Sequence, residues 1–136
     1  MNAPLAQDWT IANQQLLVAE FARLKQLLHV ASGKAAPNRA DPLPAIATAR
    51  DALRNESAID WLSGAFGLSA FERDLLLLCA GFEMDGELAR LCTHAQGKDY
   101  RPAISFSLAL STLDDPHWSA LTPQRPLRRW RLIEID

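Results

Sequence analysis

Ser69 and Glu72 stand three residues apart at the head of LSAFERDLLLLCAGF, directly before an apolar run. This is the S-x-x-E pattern in which a serine hydroxyl and a glutamate carboxylate each satisfy a free backbone N–H at a helix start. A helix is therefore predicted from Ala70. Phe71, Leu75, Leu78 and Phe82 follow at helical spacing, and Leu76, Leu77 and Cys79 widen the apolar surface beyond one stripe. Such a helix belongs at the centre of a core, with neighbours on more than one side.

The surrounding segments read as further helices. Asp85 and Gly86 break the run, and GELARLCTHAQG presents Leu88, Leu91, Cys92 and Ala95 on one face before Gly97 closes it. After the turn GKDYRP, AISFSLALSTL suits another short helix, with Ile104 and Leu108 apolar. DDPHW reads as a capped turn with Pro116 at the first helical position. The tail PLRRWRLIEI follows Pro123 and Pro126 and sets Trp130, Leu132, Ile133 and Ile135 among arginines, which suggests a β-strand or hairpin.

Upstream, Leu17, Phe21, Leu24 and Leu28 recur at steps of four, three and four, so a helix from Asp8 to Val30 is expected, capped by Asp8 or Thr10. Gly33, Pro37, Asp41, Pro42 and Pro44 cannot continue it. Residues 1–44 thus read as an N-terminal helix and Pro-rich linker, and residues 45–136 as the main domain. Within that domain Ile46, Leu53, Ile59, Leu62 and Phe66 mark a helical stretch with a possible break at Asn55 to Ser57, ended by Gly67. How the N-terminal helix packs is left open. The fold class is mainly α, with a winged-helix-like C-terminal half, three short helices and then a strand-like segment, over residues 69–136.

The 136 residues suit one domain, and a net charge of −2 with pI near 5.9 disfavours a partner held mainly through phosphates. MNAPLAQDWTIANQQ lacks the basic start and apolar segment of a signal peptide, and no apolar run nears the roughly 20 residues that span a bilayer. A cytoplasmic chain with no membrane partner is expected. Cys79 and Cys92 lie outside any CxxC or Cys/His cluster and read as buried, reduced thiols.

Reaction chemistry finds no foothold. Gly33-Lys34 is not a phosphate loop, because Leu28 stands where its first glycine belongs, Ala35 replaces the Ser or Thr that holds magnesium, and a helix precedes it. GxSxG is absent, and His29, His94 and His117 have no Ser, Cys or Asp partner fixed by spacing. Glu72, Asp74, Glu83, Asp85 and Glu87 form the densest carboxylate group, yet EMDGE lacks the alternating ligands of a calcium loop. Helix capping and solvation account for them. No catalytic residue, metal or cofactor is assigned.

Arg125, Arg128, Arg129 and Arg131, interleaved with Trp130, form the one basic cluster. On a winged-helix hairpin they could touch a phosphate backbone. However, AISFSLALSTL carries no Lys, Arg, Asn or Gln to read a base edge, so nucleic acid is the weaker reading. A protein-contact surface is the stronger one.

Three ordered stretches, FERDLLLLCAGFEMDGELARLC, RPAISFSLAL and HWSALTPQRPLRRWRLIEI, resemble the N-terminal winged-helix-like region of AAA-type ATPases from gene clusters of extracellular contractile injection systems. The likeness covers about residues 58–136. It implies a non-catalytic accessory domain that contacts its own ATPase module and injection-system components, with homo-oligomerisation through the parent ATPase. The phosphate loop and acidic strand motif of that family lie downstream of this region, so a piece of a longer protein is expected.

Overall fold

The computed structural model describes residues 3–33, 41–53, 55–97 and 103–135. Its helices run α1 Ala3–Ala31, α2 Pro42–Ala52, α3 Ala58–Phe66, α4 Ala70–Met84, α5 Gly86–Gln96, α6 Phe106–Thr112 and α7 Pro126–Arg129, with a single 3-10 turn at Trp118–Leu121. None of the described helices is long and apolar enough to cross a membrane. The middle of the Pro-rich linker, residues 34–40, and most of the GKDYRP turn, residues 98–102, lie outside the described residues.

The cap expected to start α4 is present. The Ser69 hydroxyl accepts from the Glu72 N–H at 3.1 Å, and the Glu72 carboxylate accepts from the Ser69 N–H at 2.9 Å. Phe71, Leu75, Leu77 and Leu78 are buried, and Phe82 is half-buried against the same core. Gly67 adopts the left-handed backbone that ends α3, with φ of 67°. Asp85 starts α5 by accepting from the N–H groups of Glu87 and Leu88.

The N-terminal helix lies in the core. Phe21, Leu24 and Leu28 of α1 pack with Ile59 of α3, Phe71 and Leu78 of α4, Leu88 and Cys92 of α5, Leu108 of α6 and Leu127 of α7. A smaller cluster of Leu16, Ala19, Ile46 and Ala49 joins α1 to α2. Side chains of α1 also complete the break before α3. Asn13 Oδ1 accepts from the Ala58 N–H at 2.9 Å, and Trp9 Nε1 donates to the Glu56 carbonyl at 3.0 Å. The helix begins at Ala3, so Asp8 and Thr10 sit inside it and do not cap it. Pro4 does not prevent this, because in the first turn its missing N–H would have no helical partner anyway.

Charged groups follow the same seam. Arg23 of α1 grips Asp74 of α4 through two hydrogen bonds of 2.6 and 3.2 Å, and its Nε reaches Glu20 at 3.0 Å. Arg73 of α4 pairs with Glu20 at 2.5 Å and with Asp60 of α3 at 3.4 Å, while Arg50 of α2 meets Asp60 at 3.3 Å. Three guanidiniums thus balance three carboxylates across four helices, with Glu20 and Asp74 both buried. Lys25 adds a clamp onto the start of α5, 2.9 Å from Asp85 and 3.5 Å from Glu87.

Close approach of α4 to α5 and α1 rests on Gly81. A Cβ placed there would lie 2.1 Å from Leu88 Cδ2 and 3.1 Å from Phe21 Cδ1. Both neighbours are buried, so they have little room to yield. Gly81→Ala is expected to lower stability by about 1 kcal/mol or more, since overpacking outweighs the gain in helix propensity. A urea melt measures the difference, and a stabilised variant would mean that the helices are not in this close contact.

Two expectations for the C-terminal part are corrected. No strand occurs among the described residues, and the tail opens as one helical turn with Pro126 at its first position. It then closes on itself: the Arg131 N–H reaches the Arg128 carbonyl at 3.2 Å, and the Leu132 N–H reaches that of Leu127 at 2.9 Å. This pair of bonds is the Schellman closure of a helix end. Donors used locally are not free for a strand partner. Leu127 anchors the turn in the core, and Leu132 and Ile133 pack against it. Pro116 likewise starts no helix: the 3-10 turn begins two residues later at Trp118, without a side-chain cap from His117.

Candidate functional site

The four arginines of the tail separate into two groups. Arg125 points back at the core, with its Nε 3.1 Å from Glu72 Oε2 and its Nη2 hydrogen-bonded to Oε1. Arg128, Arg129 and Arg131 are exposed. Arg128 donates to the Leu121 carbonyl at 3.0 Å, which ties α7 to the 3-10 turn. The Arg129 guanidinium stacks over the Trp130 ring, 5.1 Å from its centroid, and Trp130 lies 5.8 Å from Phe66 at the end of α3. The structure thus keeps Arg128, Arg129, Trp130 and Arg131 together as a surface and gives Arg125 a structural partner.

Glu72, read from sequence as a solvated cap residue, is fully buried, and Asp74 is nearly so. Burial pushes the Glu72 carboxyl up, but the hydrogen bonds from Arg125 and Ser69 outweigh it and hold the group below its ordinary value. Asp85 is held low in the same way, with burial opposed by Lys25 and by the Leu88 and Glu87 N–H groups. Both folded carboxylates therefore bind protons less readily than the unfolded chain does. Their stabilisation is complete above the unfolded range, near pH 4, and is lost as pH falls through the lower folded values. Arg125→Ala removes one of these supports and leaves the Glu72 charge buried. The expected loss at pH 7 is about 2 kcal/mol, less than for a fully enclosed pair because Arg125 is partly exposed. Thermal melts between pH 3 and pH 7 measure both effects. An unchanged acid limb in the variant would contradict the pairing.

His117 has partners that its spacing did not reveal. Its Nε2 lies 2.7 Å from Ser69 Oγ and its Nδ1 lies 2.8 Å from Ser119 Oγ, with the ring against Phe71. A serine beside an imidazole invites a nucleophile reading. Here the hydroxyl already accepts the Glu72 N–H that starts α4, and a second serine, not a carboxylate, meets the other ring nitrogen. The contact joins the 3-10 turn to the head of α4.

Neither thiol is activated. Burial, helped by the nearby Glu83 charge, pushes Cys79 up to about 11, and burial together with Cys79 pushes Cys92 up to about 12. Both are protonated at neutral pH and poorly nucleophilic. Among the described residues, no group of three or more His, Cys, Asp or Glu side chains could hold a metal ion.

Beside Trp130, already part of the basic cluster, two more exposed tryptophans, Trp61 and Trp118, are features that the sequence pattern did not single out. Trp61 is 57% exposed, Trp118 78% and Trp130 52%. Trp118 rests edge-on against Phe106 at 5.8 Å. A helical wheel could have found Trp61, which falls opposite the stripe of Ile59, Leu62 and Phe66. Nothing local marks Trp118.

The family model described as "Winged helix domain, variant" matches residues 44–136. No curated protein and no solved structure matches the chain. The matched span takes in α3 to α7 and almost all of α2, while α1 lies outside it.

Proposed function

Since the chain belongs to the winged helix domain variant family, we propose that it is a non-catalytic accessory domain that binds protein. In this reading it recruits or positions partners for a larger AAA-type ATPase of a contractile injection system. The observation that carries protein binding is the exposure of Trp61, Trp118 and Trp130 on a chain that buries Phe71, Leu77, Leu78 and Leu88 completely or nearly so. Tryptophan and arginine are enriched among the side chains that anchor protein interfaces, tryptophan because it covers much area with few rotatable bonds and arginine because its planar fork pairs with several acceptors at once. The link to an ATPase is supported by the likeness of residues 58–136 to the N-terminal regions of such enzymes. Its test is the coding sequence beyond Asp136. An in-frame phosphate loop followed by an acidic strand motif is expected, and an unrelated domain or an immediate stop would overturn the ATPase assignment.

A second reading, a nucleic-acid-binding winged helix, draws on Arg128, Arg129 and Arg131. The α6 helix argues against it. Its outward residues, Ser107 and Ser111, leave it without the long polar or basic side chains that make bidentate contacts to bases.

A further inference from the structure

The charges of the described residues are unevenly matched. Arg23, Lys25, Arg50, Arg73 and Arg125 each lie within an ion pair, whereas Arg90, Arg128, Arg129 and Arg131 make none among the described residues. Three of those four fall within four consecutive positions, on a chain whose net charge is −2. Uncompensated guanidiniums on an otherwise acidic protein define one place for an anionic partner.

The backbone adds an independent sign. Arg131, the second residue past the end of α7, has φ of 52°, in the left-handed region. Glycine is the residue that normally closes a helix in this way, since any side chain there is strained. Strain of this kind is tolerated where a side chain is needed for something other than stability.

We propose that the turn Arg128–Arg129–Trp130–Arg131 docks an acidic segment of a partner protein. Carboxylates of that segment pair with the guanidiniums, and an apolar side chain seats against Trp130 and Phe66. The inference rests on the protein-binding reading and names the chemistry of its partner. A peptide suits the surface better than a nucleic acid does. The Arg129 guanidinium lies over one face of Trp130 and Phe66 approaches the same ring, which leaves less of the indole for a stacked base.

The test compares three fluorescein-labelled probes on the full chain by anisotropy: a peptide alternating Glu and Leu, its Lys and Leu counterpart, and oligothymidylate. The acidic peptide alone is expected to bind. Arg131→Gly should relieve the strained backbone and raise the melting midpoint by about 3 to 5 °C, while weakening the acidic peptide about threefold. Arg129→Ala and Arg128→Ala should each weaken it on the same scale. Gain of stability with loss of binding in one variant separates docking from folding. Acidic-peptide binding that none of the three variants changes would remove this site and leave the protein-binding reading in place. Binding of oligothymidylate that these variants abolish, without binding of the acidic peptide, would overturn both. No binding of any probe would overturn the docking site.

Discussion

A chain that begins at Leu43, lacking α1, is expected to show no cooperative unfolding transition. The helix supplies Phe21, Leu24 and Leu28 to the main core and Leu16 to the smaller cluster. Truncation of one buried leucine removes about 2 to 5 kcal/mol, and loss of the whole helix removes several such side chains from a total stability of roughly 5 to 15 kcal/mol. Charge worsens the outcome, because Asp74 loses Arg23 and Arg73 loses Glu20 at a seam that is mostly buried. Far-UV circular dichroism during heating makes the comparison. A sharp transition within a few degrees of the intact chain would mean that α1 is dispensable, and that the family match from residue 44 marks a folding unit as well as a sequence unit.

Leu78→Ala is the single substitution expected to act most strongly. Leu78 is completely buried on α4 within the main core. Shortening it removes methyl groups from contact and leaves a cavity that the surrounding helices, held at both ends by caps and ion pairs, cannot close. A loss of about 2 to 5 kcal/mol is expected. Leu76→Ala, on the half-buried side of the same helix, should fall below that range. Urea midpoints for the two variants decide between them, and a loss under 1 kcal/mol at Leu78 would make α4 peripheral.

Local signals carried most of the helical architecture. Ser69 and Glu72, the left-handed Gly67, and the break between Ala52 and Ala58 all act over three or four residues, so their spacing is visible in the chain. The misread features are set by partners far away. In the local sequence Glu72 reads as a solvated cap, because Arg125, which makes its burial tolerable, follows 53 residues later. Asp74 depends on Arg23, 51 residues before it. The tail reads as a strand because four helical residues are too few to show a period, and because the left-handed turn that reverses it falls on Arg131 and not on a glycine. The site residues Arg128, Arg129, Trp130 and Arg131 were legible as a cluster. Their separation from Arg125 was not.

Fluorescence anisotropy with a labelled random-sequence duplex at low salt separates the proposed protein-binding role of this winged helix from a nucleic-acid-binding one. No binding is expected up to tens of micromolar protein, because the clustered exposed arginines without an ion pair among the described residues are three, Arg128, Arg129 and Arg131, and α6 offers no base-reading side chain. Binding in that range that falls steeply as salt is added, the mark of displaced counterions, would contradict that expectation.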